Sequence, residues 1–291
     1  DSFSVGVGNS VNFDNGSGAT LNRVTGSDLS SIYGSLSATG SIYLINESGI
    51  IFGDTGVVDV GGDFVGSTLG VDSSDFLNEG ATSFSGSGGG SIVNLGSISS
   101  SGGSVSLLSA SINNSGSIVA ADGAASLVAG KQILMHDTGL DDGRFVVEYG
   151  DSSSITNSGN IAAAEVELRS NGGNIYALAG NTSGSINATG VSNKGGRVFL
   201  TSGDSGAIEV SGTVEASNSD GSGGYVEITG DTAILPGTID VASSSGKGGE
   251  VYIYTQSLTD FTGNIYASGG AAGFDGGFVE VSSKELVSVN D

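Results

Sequence analysis

Asn94-Leu95-Gly96-Ser97-Ile98, Asn114-Ser115-Gly116-Ser117-Ile118 and Asn157-Ser158-Gly159-Asn160-Ile161 are three copies of one phrase. Its second half continues through Gly184-Ser185-Ile186, Gly212-Thr213-Val214, Gly237-Thr238-Ile239 and Gly263-Asn264-Ile265. The branched residues of successive copies lie 20, 43, 25, 28, 25 and 26 residues apart, and the 43 reads as two periods. Self-similarity at a period of about 20–50 residues, with a short strand signal in each unit, marks a solenoid. A solenoid is a rod without a central pocket, which limits what such a chain can do.

A second column runs alongside. Paired glycines at Gly102-Gly103, Gly172-Gly173, Gly195-Gly196, Gly223-Gly224, Gly248-Gly249 and Gly276-Gly277 precede Val105, Ile175, Val198, Val226, Val251 and Val279. Two residues further on stand Leu107, Ala177, Leu200, Ile228, Ile253 and Val281. Side chains alternate across a strand, so these two apolar sets share an inward face. The residues between them, Ser106, Tyr176, Phe199, Glu227, Tyr252 and Glu280, point outward. Tyr176, Phe199 and Tyr252 therefore read as a surface stripe able to stack on sugars or dock a neighbouring rod.

Each period holds at least two short strands separated by Gly, Ser, Asn and Asp, the residues that turn a chain most readily. Stacking equivalent strands in parallel predicts an all-β fold, a right-handed parallel β-helix. At ~23 residues per coil it would have ~12 coils and a length of ~60 Å. The asparagines of the opening phrase can hydrogen-bond along the axis as a ladder. A short helical turn is expected over Ser73 to Gly80.

Glycine supplies 53 of 291 residues, yet 37% of the chain is hydrophobic, which argues against disorder. Acidic residues outnumber basic ones 31 to 8 for a net charge of -23, so nucleic acid is not an expected partner. The absence of cysteine removes disulfides and thiol chemistry.

Catalytic arrangements are few. His136 is the single histidine, and nothing marks a serine beside it as a nucleophile. Glu165 and Glu167 share a strand face at ~7 Å, within the carboxylate separation of inverting glycosidases. Alternating Ala164, Val166 and Leu168 make them an ordinary solvated outer face instead. No enzyme activity and no cofactor are expected. Calcium at Asp141-Asp142-Gly143, Asp220-Gly221 or Gly269 to Asp275 is the one ion to weigh, with a solvated turn as the default.

The first 170 residues resemble the secretion domain of filamentous haemagglutinin-type exoproteins, which leave Gram-negative bacteria by two-partner secretion. The resemblance rests on ordered words: Ser2-Phe3-Ser4-Val5, Ser10-Val11-Asn12-Phe13, Leu21-Asn22-Arg23-Val24-Thr25-Gly26, Ile32-Tyr33-Gly34-Ser35-Leu36 and Tyr43-Leu44-Ile45-Asn46-Glu47-Ser48-Gly49-Ile50-Ile51-Phe52-Gly53. Val58-Asp59-Val60-Gly61-Gly62, Ser67-Thr68-Leu69 and Asp75-Phe76-Leu77 follow. The family has Asn-Pro-Asn-Gly where this chain has Asn46-Glu47-Ser48-Gly49, which puts that turn in question. By this resemblance Asn22, Arg23, Asn46, Gly49, Ile50, Phe52 and Gly53 are the secretion motif. It also implies a capping segment ahead of the position of Asp1. Residues 171–291 resemble the glycine-rich repeats that follow such a domain.

The resemblance implies a secreted or surface-displayed adhesive fibre, outside the cell or on its outer surface. An outer-membrane barrel transporter is its first partner. Host, neighbouring-cell or glycan surfaces are its later ones. Two other readings stand beside it: a polysaccharide-binding or polysaccharide-degrading β-helix protein, and a self-assembling extracellular filament subunit.

Overall fold

The computed structural model describes residues 2–77, 81–87, 89–135, 145–149, 153–177, 184–191, 195–271 and 273–289. Their architecture is a parallel β-helix with three sheets around one apolar interior.

Registers define the sheets. The first stacks Ile50, Ile92, Ile112, Ile155, Ile175 and Ile208 in line. The second stacks Val11, Leu36, Val58, Ile98, Ile118, Ile161, Ile186, Val214, Ile239 and Ile265. The third stacks Thr20, Ile42, Phe64, Val105, Ala125, Val166, Val198, Val226, Val251 and Val279. Apart from the copy at Ile175, the two columns found in the sequence are the second and third of these, ten layers deep rather than ~12. At ~4.8 Å per layer the stack is about 45 Å long.

The difference lies in two excursions, one of them in the 43-residue gap. Ile118 pairs directly with Ile161, so the gap is one coil with an excursion. The chain leaves the stack after Ser117–Ala129, forms Gln132–Met135 and Phe145–Tyr149, and returns at Ser154–Asn157. An earlier excursion leaves after Phe64–Ser67 and contributes Gly70–Val71, the helix Ser73–Leu77 and Thr82–Ser85. The helix begins where expected, and 78–80 lie outside the described residues, as do His136 and Asp141 to Gly143.

The two excursions pair with each other, antiparallel, in a four-stranded sheet. This sheet lies over the outside of the third sheet. Leu69, Val71, Phe84, Ile133, Phe145 and Val147 pack with the outward-facing Ile45, Val65, Leu108 and Val128 in a second buried core. Phe76 of the helix meets Tyr43 edge-on at 5.1 Å. Burying such side chains stabilises by about 1.5–3 kcal/mol each, which holds the excursions down.

Two further devices fix the stack. Asn94 donates from Nδ2 to Asn114 Oδ1 at 2.7 Å, and Asn114 donates likewise to Asn157 at 2.7 Å, all three buried. The ladder predicted from the opening phrase is present. The glycine of the same phrase makes room for the coil before it: a Cβ on Gly116 would lie 2.2 Å from the Gly96 carbonyl oxygen, and one on Gly159 would lie 2.1 Å from that of Gly116. Those carbonyls accept from Ser117 N at 2.8 Å and Asn160 N at 2.9 Å. Glycine recurs there because coils approach backbone to backbone.

One alignment made from the sequence is corrected. Gly172-Gly173 leads into Asn174–Ala177, which belongs to the first sheet, between Ser154–Asn157 and Ala207–Val210. Val166 occupies that layer of the third sheet instead, between Ala125 and Val198. Paired glycines occur at two corners of the coil, and sequence alone does not separate them.

Candidate functional site

The residues assigned to the secretion motif by resemblance lie in the first two layers, at the corner joining the third sheet to the first. Asn46 ends the strand Ser41–Ile45 and is fully buried. Its Nδ2 donates to Asp28 O and Ser30 Oγ, both at 3.0 Å, while its Oδ1 accepts from Ser48 N at 3.0 Å. Gly49 closes the turn with N–H donated to Asn46 O at 3.1 Å and a φ of +128°, a conformation glycine adopts without steric cost. The turn therefore forms without the family's proline, because the Asn46 side chain ties it on both sides.

Ile50 and Phe52 follow with their side chains in the main core, Phe52 edge-on to Phe64 at 5.8 Å. Gly53 has the Tyr33 ring against it: a Cβ there would meet ring carbons at 2.1 and 2.2 Å. Four of the seven motif residues, Asn46, Ile50, Phe52 and Gly53, are thus explained by packing.

Asn22 and Arg23 behave differently. Asn22 continues the inward column beside Leu44, and its Nδ2 is buried with no hydrogen-bond acceptor. Arg23 points outward and reaches the excursion sheet, donating to Val71 O and, at 3.3 Å, to Ser73 Oγ. With Glu47, Asp72 and Ser83 it lines a polar groove between the first coils and that sheet. Arg23→Ala should remove this tie, lower stability by about 1 kcal/mol, and speed amide exchange across Gly70–Leu77. Unchanged exchange at that edge would show that Arg23 does not hold it.

The surface stripe is not as the sequence suggested. Tyr176 sits on the first sheet beside Thr156 and Glu209, a different sheet from its supposed companions. Phe199 is buried, at 1% exposure, so it is no surface contact. Tyr252 does belong to an aromatic series, but with Tyr225 and Phe278. Ring centroids run Phe199 to Tyr225 at 5.8 Å, Tyr225 to Tyr252 at 5.5 Å and Tyr252 to Phe278 at 5.3 Å.

The series zigzags because each ring is displaced by two positions from the next. Tyr225 opposes Glu250 and Glu250 opposes Phe278, while Glu227 opposes Tyr252 and Tyr252 opposes Glu280. Rings and carboxylates alternate like squares on a board. Tyr225 donates its hydroxyl to Glu227 at 2.6 Å, and Tyr252 donates to Glu250 at 3.2 Å. Partial burial, then the Glu227 carboxylate, pushes the Tyr225 phenol well above the ordinary tyrosine range. Tyr252 shifts in the same direction through desolvation and Glu250. Tyr225 and Phe278 escape the sequence reading although they lie two residues upstream on the same strand face, directly after paired glycines.

The carboxylate pair is also corrected. Glu167 is fully buried, not solvated, and accepts from Arg169 Nε at 2.5 Å. A buried carboxylate requires such a partner, because its desolvation costs several kcal/mol. Glu165 is partly exposed on the same strand. Asp220 caps its own turn, accepting from Ser222 N at 2.9 Å and Ser222 Oγ at 2.6 Å, and these bonds hold its carboxyl below the usual range. Among the described residues no group of three or more His, Asp or Glu is gathered for a metal ion.

A family model described as the TPS secretion domain matches residues 1–222. Seven solved chains match. Among them is the crystal structure of the HMW1 secretion domain from Haemophilus influenzae, 25% identical to this chain with a TM-score of 0.72, covering 100% of this chain and 88% of that one. No curated protein matches.

Proposed function

Because this chain belongs to the TPS secretion domain family, we propose that it is the export module and first stretch of a structural, adhesive fibre that acts in adhesion, aggregation or biofilm. Membership carries export by a two-partner system through the outer membrane of a Gram-negative bacterium, with an outer-membrane transporter as partner. The observation that carries the reading is the family match over 222 residues, on a stack that continues without interruption across residue 170.

The physics of a solenoid supports the proposal. Each layer contacts only its neighbours, so a chain emerging from a pore can fold coil by coil, each coil templating the next. A chain without cysteine cannot be trapped by premature disulfides. In this reading residues 1–170 are the part the transporter recognises, and residues 171–291 begin the displayed rod. The rod works by repeated weak contacts to host, neighbouring-cell or glycan surfaces, where avidity replaces single-site affinity. It performs no chemical step and uses no cofactor.

Expression with a periplasmic leader in a Gram-negative host, with and without the cognate transporter, tests the export half. Release into the medium should require the transporter. Equal release without it would refute the assignment. Adhesion is tested separately, by comparing cells displaying the parent protein with cells lacking it on the same surface.

A further inference from the structure

The outer face of the third sheet changes character along the rod. Up to about the fifth layer it is covered by the excursion sheet, beneath which the outward-facing Tyr43, Ile45, Val65, Leu108 and Val128 pack, with Ser106 and Ser126 buried beside them. Phe199 is the last of its outward column to be buried. Beyond it the column reads Glu227, Tyr252 and Glu280, with Tyr225, Glu250 and Phe278 beside it. Tyr225, Glu227, Glu250 and Tyr252 are half-buried on this face, each with part of its side chain at the surface, and Phe278 is 47% exposed.

An apolar strip would be completed by an apolar partner. This strip interleaves carboxylates with rings, and the carboxylates are held in place. Tyr225 and Tyr252 hydroxyls fix Glu227 and Glu250, and Ser282 Oγ shares its one proton between Glu280 Oε1 and Ile253 O, both at 3.0 Å. Each of these bonds engages one carboxylate oxygen, so the second remains for another donor. Oriented carboxylates beside ring faces suit a cation: guanidinium forks match carboxylates, and both guanidinium and ammonium groups favour aromatic faces. The protein's net charge of -23 adds long-range attraction for the same sign of partner and opposes an acidic glycan or a second copy of this chain. Arg197 and Lys247 border the Tyr225 end, so the attraction is greatest toward Glu280.

We propose that the strip formed by Tyr225, Glu227, Glu250, Tyr252, Phe278 and Glu280 docks a basic polypeptide segment, one presenting arginines or lysines from an extended backbone. This goes beyond export and adhesion and does not depend on either.

The test is calorimetric titration of the whole chain with a synthetic peptide of alternating arginine and serine. A peptide with citrulline in place of arginine and a neutral glucan oligosaccharide serve as comparisons. The arginine peptide should bind and the others should not. Glu227→Gln with Glu250→Gln and Glu280→Gln should weaken binding about tenfold or more, a loss of about 1.4 kcal/mol. Asp14→Asn with Asp28→Asn and Asp54→Asn removes the same charge elsewhere and should change affinity less than about twofold, since distant surface charges are screened. Tyr252→Leu should weaken binding about threefold through the lost ring face. Should the triple glutamine variant fail to fold, Glu280→Gln alone, at an exposed position, should still weaken binding measurably. Failure of the arginine peptide to bind, an equal loss in the aspartate control, or preference for the neutral oligosaccharide would each overturn the proposal.

Discussion

Gly159→Val is expected to be among the most damaging single changes in the helix, at about 4 kcal/mol. The atoms in the way are backbone, not the end of a flexible side chain: Gly116 O at 2.1 Å, Ser115 C at 2.8 Å and Gly116 N at 2.9 Å. Overpacking alone costs about 1–3 kcal/mol. Separating the coils also breaks Asn160 N to Gly116 O and Gly159 N to Asn114 O, at 2.9 and 3.0 Å, each worth about 1 kcal/mol. Gly276→Ala is the comparison, since its Cβ would meet nothing closer than Ala267 O at 3.6 Å and no positive φ is needed there. It should leave stability nearly unchanged. Denaturant melts of the two variants, read with native-state hydrogen exchange, decide the matter. Equal tolerance of both would mean that spacing between coils does not demand the glycines.

Asn114→Ala should cost about 3 kcal/mol, more than its lost atoms suggest. It leaves Asn94 Nδ2 with only a 3.4 Å contact to Ser117 O and removes the donor to Asn157 Oδ1, both in the dry interior. An orphaned buried polar group costs about 1–3 kcal/mol. The sharper expectation is a reversal. Converting Asn94, Asn114 and Asn157 together to leucine removes the ladder's donors and acceptors alike. It leaves only the longer contacts of Gly96 N at 3.2 Å, Gly159 O at 3.3 Å and Ser117 O at 3.4 Å without their side-chain partners, so the triple variant should be more stable than the single alanine variant. Chemical denaturation ranks the three proteins. A triple variant weaker than the single one by the sum of three separate losses would show that the ladder contributes through shape, not through paired hydrogen bonds.

Much of this architecture is legible in the sequence. Branched aliphatics at inward positions repeat because every layer must fill the same interior. The phrase Asn-x-Gly-x-Ile encodes both the ladder and the close approach of coils. The illegible parts share one cause: residues that face outward, or leave the stack, obey no period. Gln132–Met135 packs on the outside of the helix, yet its alternation is that of any coil strand, so 43 residues read as two coils. Glu167 looks solvated until Phe199 and Arg169 are placed beside it. Tyr176 is assigned to the wrong sheet because paired glycines mark two corners. Of the motif residues, Ile50 and Phe52 announce themselves as core, whereas the reach of Arg23 to Val71 and Ser73 spans about fifty positions and leaves no local trace.

The pairing of residue 118 with residue 161 decides between a stack of single coils carrying excursions and a plain two-coil spacing. Val119 and Ala162 are direct partners on adjacent parallel strands, both facing outward, in a chain with no cysteine of its own. Val119→Cys with Ala162→Cys should form an intramolecular disulfide under mild oxidation, because neighbouring layers bring Cα atoms within the range of about 4.4–6.8 Å that the bond requires. Were an extra coil to separate them, the distance would be about 9.6 Å. A pair that stays reduced, or links only between molecules, would contradict the direct stacking of these two layers.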